Sequence, residues 1–182
     1  MHVQCVSKTE THSRLRVSKL TTYTYRRLSR DVEAELFPAL RSLGIRFYAI
    51  NPLAGGVLSS HFAGETSHAV RAGRFPDIEN GQASYRQKFY KPNYLEAITT
   101  LNFACKSFGL TLQDASLRWL AHHSLLRTTR DDGIVLGASK VSQLRDNIQS
   151  VRRAGPLPLP LVVAFDEAWD DCRVDCPTYF TT

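Results

Sequence analysis

Segments with the apolar spacing of helices alternate along the chain with short runs typical of strands. Runs rich in β-branched and aromatic residues predict strands at about residues 21–25, 45–50 and 133–137. Four helices are predicted from apolar residues three or four positions apart. These residues are Val32, Leu36, Leu40 and Leu43; Leu95, Ile98, Leu101, Cys105 and Phe108; Leu144, Ile148 and Val151; and Val162, Phe165, Trp169 and Cys172.

Local signals at helix ends refine this pattern. Thr111, followed three residues later by Asp114, is typical of an N-cap and predicts a further helix through residues 115–125. Gly44 is typical of a helix stop after the first helix. Pro38 lies inside that helix and should kink or shorten it, because its ring removes a hydrogen-bond donor.

The alternation of strands and helices predicts an α/β fold with parallel strands. A parallel pair needs a crossover connection, and a helix is the usual one. Ligands in such folds bind where the carboxyl ends of the strands meet the following loops and helix starts. Two turns follow predicted strands in this way, "NPLAGG" at residues 51–56 and "GASK" at residues 137–140. We expect a ligand at these turns.

The second turn has the composition of a phosphate-binding site. Gly137 and Ala138 would let the backbone approach a ligand where the next helix begins. Unpaired N–H groups and the macrodipole at a helix start favour phosphate. The side chains assigned to the ligand are Ser139 and Lys140 for phosphate, and Gln143 and Asn147, four residues apart on one face, for a purine edge. A phosphorylated nucleotide is the predicted ligand. Taken alone, ordinary capping by Ser139 beside a solvated polar face explains these residues equally well.

Composition and charge limit the classes of protein that fit. Of the 182 residues, 43% are hydrophobic and 22% are charged, and no apolar run approaches the roughly 18 residues of a membrane span. The net charge of +6 comes mainly from the first 30 residues, which hold seven Lys or Arg against the single acid Glu10. This basic arm lacks the apolar core of a secretory signal. A cytoplasmic protein is predicted, with an organelle presequence as a less favoured alternative.

The cysteines and histidines do not form a recognisable metal site. The chain is too large to need disulfides, so its four scattered cysteines are interpreted as reduced thiols. Cys172 and Cys176 could share a helix face but lack the second pair or the His of a zinc site. His122 and His123 are adjacent, so on a helix they would point about 100° apart and could not chelate together. No metal is assigned.

Several segments resemble one known family. "FYAINPLAGGVL" and "GASKVSQLRDN", in this order, resemble the cofactor-binding half of an aldo-keto reductase. "VEAELFPALRSLGIRFYAINPLAGG", "YRQKFY", "SLRWLAHHS" and "CPTYF" are similar, more narrowly, to the aflatoxin-aldehyde reductase branch of that family. The resemblance covers roughly residues 23–182.

The resemblance implies a fold, a cofactor and a reaction. The family fold is a (β/α)8 barrel that binds NADPH in an extended form and reduces small-molecule aldehydes and ketones. Ser139, Lys140, Gln143 and Asn147 match the family segment that holds the 2′-phosphate and adenine, which implies NADP rather than NAD. The residues that match the segment along the pyrophosphate are Asn51, Pro52, Leu53, Ala54, Gly55 and Gly56.

Two arginines in the long polar segment of residues 59–92 are implied to contact a ligand. Arg74 and Arg86 lie where this branch places basic residues near the cofactor or an acidic substrate. A simple surface charge is an equally weighted alternative for each. The partners implied are a small-molecule aldehyde or ketone, with a homo-oligomer left open and nucleic acid disfavoured.

The chain departs from the family by its length. A (β/α)8 barrel typically needs about 250 residues, and only three strands can be placed here. The predicted fold is therefore α/β, the C-terminal portion of a (β/α)8 TIM barrel, and incomplete. Residues 1–22 are predicted to be a basic arm without a family match, and residues 23–182 the barrel portion. We expect unpaired sheet edges and poor stability of the isolated chain.

No catalytic residue is assigned. The family transfers hydride with a Tyr acid supported by Lys, Asp and His, all in its N-terminal half, and nothing in residues 1–22 matches their motifs. The tyrosines that fall elsewhere in the family pattern are Tyr23, Tyr25, Tyr48, Tyr85, Tyr90, Tyr94 and Tyr179.

Three functions from different classes remain, in this order. The first is an NADPH-dependent aldo-keto reductase represented by a chain without its catalytic tetrad. The second is a catalytically inactive nucleotide-binding or assembly module. The third is a basic nucleic-acid-binding protein, which salt-sensitive binding through residues 1–30 would favour.

Overall fold

The computed structural model describes residues 3–6, 20–24, 29–59, 91–152 and 155–176. These ranges contain four strands and five α-helices, joined in part by short 3₁₀ turns. In chain order the elements are β1 (Val3–Val6), β2 (Leu20–Thr24), α1 (Leu36–Leu43), β3 (Arg46–Ile50), α2 (Pro92–Ser107), α3 (Leu112–His122), β4 (Gly133–Ala138), α4 (Val141–Arg152) and α5 (Leu159–Cys172).

The strands form one sheet in the order β1-β4-β3-β2. β2 pairs with β3 and β3 with β4, both in parallel, whereas β1 runs antiparallel to β4. The three strands predicted from the sequence are confirmed to within one residue at each end. A mostly parallel sheet with helical connections is an α/β fold, as predicted.

The fourth strand, β1, was not predicted. It lies inside the basic arm, and its four residues "VQCV" are too short to stand out from a polar segment. In the structure it pairs with β4 on the side opposite β3, with Val3 opposite Ala138 and Val6 opposite Val135. This edge of β4 is therefore paired, and β1 and β2 form the outer strands of the four-stranded sheet.

Helix α1 is shortened at its start, as Pro38 predicted. It begins at Leu36, so Pro38 falls in the first turn, where a backbone N–H has no partner inside the helix. Gly44 ends it at φ +61°, a left-handed conformation that suits glycine. The buried side chains are Phe37 and Leu40, whereas Leu43 is 60% exposed. The prediction that Leu43 lies on the buried stripe was wrong: it is the last residue of the helix and is exposed.

Helices α2 and α5 pack against each other across the core. Ile98, Leu101 and Cys105 of α2 are buried as predicted, but Phe108 lies beyond the helix and is 43% exposed. The inclusion of Phe108 in the stripe was therefore wrong. The buried stripe of α5 consists of Leu161, Phe165, Ala168 and Cys172, while Val162 and Trp169 pack at its margin.

Helix α4 differs most from its predicted face. Leu144, Ile148 and Val151 are only half-buried, whereas the polar Asn147 and Ser150 are buried. α4 contacts α3 and β4, and it turns these polar side chains toward that contact. Spacing alone assigns the apolar side to the core, so it cannot anticipate a polar seam between two helices.

The apolar core lies between β3 and the helices α1, α2, α3 and α5. The rings of Phe37 and Phe47 lie 4.8 Å apart between centroids and join α1 to β3. Burying one such side chain contributes about 1.5–3 kcal/mol. The turn after β3 contributes to the same core through Ala54, Val57 and Leu58, each at most 3% exposed. The turn is thereby fixed to the scaffold.

A buried carboxylate aligns the two central strands. The Asp132 side chain is fully buried just before β4, and Arg41 of α1 donates two hydrogen bonds to it at 3.1 and 2.6 Å. The backbone N–H of Phe47 in β3 donates to the same carboxylate at 3.0 Å, and that of Arg127 at 2.9 Å. One side chain thus ties α1, β3 and the entrance of β4 together.

The connection from α4 to α5 is fastened to α3. Arg118 donates to the carbonyl oxygens of Gly155 and Pro156, both at 2.8 Å. The Nε2 atom of His123 accepts the N–H of Leu157 at 2.9 Å, so this nitrogen must be unprotonated. Burial lowers the pKa of His123 below its usual 6.5, and the nearby His122 lowers it further. Protonation of His123 would break the contact with Leu157.

We expect this contact to make stability fall with acid. Because the pKa of His123 is lower in the folded state, the unfolded chain binds more protons near pH 6.5, and the free energy of unfolding decreases as the pH is lowered through that value. His123→Gln keeps an acceptor for the Leu157 N–H without a titrating group. The variant should lose part of the decrease in urea midpoint between pH 8 and 5.5.

His122→Gln is the matched control, because His122 is exposed and does not receive the Leu157 N–H. It should keep most of the pH dependence of the unsubstituted chain, because burial, the larger cause of the lowered pKa of His123, is unchanged. Equal pH dependence in His123→Gln and His122→Gln would contradict the prediction.

Candidate functional site

The two turns assigned to a ligand follow neighbouring parallel strands. β3 ends at Ile50 and β4 at Ala138, and the register places Tyr48 opposite Gly133. Both turns therefore lie at the carboxyl edge of the same sheet, where α/β folds bind ligands. β4 continues beyond the level of Ile50, so the second turn lies further along the strand direction than the start of the first.

The first turn, residues 51–59, satisfies its backbone internally. The side-chain oxygen of Asn51 accepts the N–H of Gly55 at 2.6 Å, and the main-chain oxygen of Asn51 accepts that of Ala54 at 3.0 Å. The N–H groups of residues 56–59 also donate to carbonyl oxygens within the turn. A ligand approaching this turn would therefore meet few unpaired backbone donors.

Left-handed backbone gives this turn its shape. Asn51 and Ala54 have φ of +55° and +54°, and Gly55 and Gly56 have φ of +68° and +109°. Asn tolerates this region, whereas Ala pays a steric penalty of about 1 kcal/mol that the surrounding core must offset. What the turn offers a ligand is a rigid, close surface rather than free hydrogen-bond donors.

Three donors converge on one oxygen at the second turn. The backbone N–H groups of Ser139 and Lys140 and the hydroxyl of Ser139 all donate to Oε1 of Gln143, at 3.3, 3.3 and 3.0 Å. The carbonyl of Lys140 accepts the N–H of Leu144 at 3.2 Å, which makes Lys140 the N-cap of α4. Gln143 thus occupies the third helical position and reaches back to the N-cap.

This arrangement is both a capping motif and a receptor for an oxygen. The donors lie at the positive end of a 12-residue helix, and the exposed Lys140 ammonium group can reach the same region. Ser139 lies one position before the N-cap Lys140, and its hydroxyl donates to Gln143. The geometry suits an anionic oxygen in place of the Gln143 amide oxygen.

Gln143 and Asn147 do not share one open face. Asn147 is 2% exposed, and its Oδ1 accepts a hydrogen bond from Nε2 of Gln113 at 2.7 Å. Gln113 belongs to the first turn of α3 and was not predicted. No sequence signal marks it, since a Gln at that helical position is usually solvated. Asn147 therefore lies at the seam between α3 and α4.

The other predicted residues are placed less specifically. Gly137 is exposed and pairs with Gln4, and a Cβ atom on it would meet no described atom within 4 Å. Packing of the described residues therefore does not require a glycine at position 137. Arg74 and Arg86 lie outside the described residues.

Tyr48, Tyr94, Cys105 and Cys172 contribute to packing. Tyr94 is 1% exposed in the core, and the Tyr48 ring lies beside Gly133. Burial raises the pKa of Cys105 and of Cys172 to about 12, so both thiols stay protonated at neutral pH. The other tyrosines discussed above lie outside the part of the chain whose side chains are described. Among the described helices, none is long and apolar enough to cross a membrane.

Comparison with known proteins identifies the family. A model of the aldo/keto reductase family matches residues 3–163, which include β1 and both candidate turns. The chain therefore belongs to the aldo/keto reductase family. The resemblance drawn from the sequence motifs is confirmed.

Individual relatives are similar over most of this chain. An aldo-keto reductase of Pseudocercospora fijiensis is 38% identical over 86% of this chain and 52% of its own length. Aflatoxin B1 aldehyde reductase member 2 of Mus musculus is 41% identical over 86% and 43%, and that of Homo sapiens is 40% identical over 86% and 44%. The chain spans about half the length of the curated relatives it matches.

Replacement of Asn51 tests the first turn. Asn51→Ala removes the acceptor of the Gly55 N–H and replaces Asn, which tolerates φ +55°, by a residue that tolerates it less well, so we expect a loss of about 2 kcal/mol in the free energy of unfolding. Asn51→Gly loses the same acceptor without the steric penalty and should cost about 1 kcal/mol less. Urea unfolding of both variants measures the difference. A larger loss in Asn51→Gly than in Asn51→Ala would contradict this account of the turn.

Proposed function

We propose that this chain supplies the NADP(H)-binding portion of an aldo-keto reductase that reduces aldehydes or ketones. The observation that carries the proposal is the convergence of three donors on the Gln143 oxygen at the end of β4. Family membership supports the same cofactor and class of reaction. The proposal extends the (β/α)8 fold of the family to this chain as an incomplete barrel.

The residues present fit the 2′-phosphate of NADP(H). A phosphate oxygen would replace Oε1 of Gln143 and accept the N–H groups of Ser139 and Lys140 and the Ser139 hydroxyl. The Lys140 ammonium group would add a full positive charge. A hydrogen bond to a charged group contributes about 1.5–3 kcal/mol, more than the neutral contact that it replaces. The exchange therefore favours a phosphate over the internal amide.

Two other parts of the site would hold the rest of the cofactor. The turn of residues 51–56 would lie along the pyrophosphate, where its rigid left-handed backbone permits close approach. Asn147 would face the adenine from the seam between α3 and α4. Bound NADPH would supply the hydride for carbonyl reduction. The chain residues named here bind and orient the cofactor, and none is assigned the role of acid.

A catalytically inactive nucleotide-binding module is the second candidate. Tyr48 packs beside Gly133 and Tyr94 is buried in the core, so neither described tyrosine ring is placed to donate a proton to a bound carbonyl compound. The names of the relatives from mouse and human point to an aldehyde as the substrate class of the reductase. In the second candidate function, the chain binds the nucleotide cofactor and does not itself catalyse the reduction.

Replacement of Lys140 tests the phosphate site. Lys140→Ala should weaken NADPH binding about 10-fold, as expected for the loss of one charged contact, and leave NADH binding nearly unchanged. Lys106→Ala is the matched control, because Lys106 is an exposed lysine near the end of α2 and away from both turns. Fluorescence titration or calorimetry gives the dissociation constants. An equal loss of NADPH and NADH affinity in Lys140→Ala would argue against phosphate recognition here.

The isolated chain should bind the cofactor without turning it over. Titration should show NADPH binding. After an aldehyde is added, the absorbance of NADPH should fall no faster than in the uncatalysed reaction, because the described residues position no acid. Aldehyde-dependent oxidation of NADPH by the purified chain would refute the second candidate and show that the chain holds its own acid. Absence of NADPH binding would refute the proposed function itself.

A further inference from the structure

The apolar stripe of α4 lies along an open groove. Among the described residues, the α4 groove is lined by Val141, Leu144, Arg145, Ile148, Gln149 and Arg152. All six belong to α4 itself, so no other described element covers the groove. Val141 is 73% exposed, and Leu144 and Ile148 are half-buried, because a different side of the helix packs on α3 and β4. A helix usually turns such a stripe toward a partner.

Two arginines give the α4 groove a positive charge. Arg145 and Arg152 border its apolar side chains, and both are exposed. An occupant that offers apolar side chains next to carboxylates would complement this surface. Opposite charges would then set the register of the two surfaces, while the apolar side chains would be removed from water.

The outer side of α5 has this complementary composition. Leu159 is 73% exposed and Val163 is 45% exposed, and Glu167 is exposed one turn further on. These three residues, called the α5 face here, stand four positions apart and therefore form one row along the helix. The row with the same spacing in the α4 groove is Leu144, Ile148 and Arg152. Each row has two apolar side chains followed by a charge, and the two charges are opposite.

The two rows do not cover each other within one chain. Both are open to solvent in the same molecule. The connection between α4 and α5 is held against α3, since Arg118 donates to carbonyl groups of this connection and His123 accepts an N–H from it. A contact between the α4 groove and the α5 face therefore requires two copies of the chain.

We propose that the α4 groove binds the α5 face of a second copy of this chain. Rows of side chains four residues apart are the ridges that most often interdigitate when helices pack. With the two helices running in the same general direction, the apolar members of each row would pack together. The Glu167 carboxylate of one copy would then meet the Arg152 guanidinium of the other.

The contact joins two different surfaces, so each pair leaves one α4 groove and one α5 face open. Further copies can add, and the assemblies should grow with concentration instead of stopping at a dimer. One helix pair buries less than the roughly 1,200 Å² of the smallest stable interfaces, so we expect a dissociation constant of about 10–100 µM. A symmetric pair of α4 grooves is disfavoured, because it would gather the arginines of both copies in one contact.

Exchange of the two charges tests the contact. Arg152→Glu places a carboxylate opposite that of the α5 face, and Glu167→Arg places a guanidinium opposite that of the α4 groove. Each variant alone should associate at least about 10-fold more weakly than the unsubstituted chain, because an attraction becomes a repulsion. An equimolar mixture has opposite charges wherever unlike copies meet, so association should return to within about 3-fold of the unsubstituted chain. Sedimentation velocity over about 1–300 µM spans the expected dissociation constant.

Arg130→Glu and Glu96→Arg are the matched controls. They make the same changes in charge, but Arg130 lies in the turn before β4 and Glu96 lies on α2, and both are exposed outside the two rows. Each control alone should associate like the unsubstituted chain.

Three results would overturn the proposal. A monomer at every concentration of the unsubstituted chain would leave the α4 groove to a different occupant. Weaker association in Arg152→Glu but not in Glu167→Arg would place α5 outside the contact. Failure of the mixture to restore association would show that the two charges do not meet. None of these results depends on NADPH binding, so the proposal is tested separately from the proposed function.

A further variant tests the apolar part of the contact without changing any charge. Val163→Gln alters a side chain that is already 45% exposed, so the fold should tolerate it, and circular dichroism checks that it does. Association should weaken by about 3- to 10-fold, because an apolar side chain is lost from the middle of the row. Unchanged association in a folded Val163→Gln chain would also overturn the proposed packing.

Discussion

The hydrogen bonds to the Asp132 carboxylate fix the relative position of β3 and β4. This fully buried side chain accepts two hydrogen bonds from Arg41 and one each from the N–H groups of Phe47 and Arg127. Removing one partner of such a buried pair typically costs about 3–5 kcal/mol, because the remaining charge is left without compensation. The carboxylate lies at the amino ends of the strands, and both candidate turns lie at the opposite ends. Its effect on the site is therefore exerted through the alignment of two strands.

The two turns that this alignment brings to one edge of the sheet differ in physical character. The first is closed on itself, since Asn51 and the carbonyl groups of the turn accept its N–H groups, and Ala54, Val57 and Leu58 anchor it in the core. The second is exposed, and its donors are occupied by a side chain that can move away. A rigid turn beside a second turn whose donors can exchange one acceptor for another suits a dinucleotide, because its phosphates can then be bound in two different ways.

The sequence predicts the parts of this structure that depend on near neighbours. The runs at residues 45–50 and 133–137 identify two strands, and Gly44 and Thr111 mark a helix end and a helix start. The helix start is confirmed by the Asp114 N–H, which donates to the Thr111 hydroxyl. Parts that depend on distant partners were missed. Asp132 and Arg41 are 91 positions apart, and their pairing has no local pattern.

The same limit explains the errors at the candidate site. Spacing predicts that Gln143 and Asn147 share a face, but burial separates them because α3 covers one and not the other. β1 was missed since four residues carry too little pattern, and it forms only by pairing with the edge of β4. Helical spacing describes one helix, and strand composition describes one strand. Which other element each of them packs against or pairs with depends on the tertiary structure, and local sequence patterns do not contain it.

Binding and chemistry are separable in this arrangement. The groups proposed to bind the cofactor belong to a few contiguous elements, β3 with its turn, α3, and β4 with α4, and these are joined by the core and by Asp132. Recognition of a phosphate needs only donors on a rigid support, which these elements provide. Proton donation to a carbonyl compound needs an acid aimed at the nicotinamide, and Tyr48 and Tyr94, the tyrosines whose side chains are described, are engaged in packing. A phosphate-binding site can therefore be built from these elements alone, whereas an acid aimed at a carbonyl compound needs a further side chain in a different position, so the two properties can be tested and altered separately.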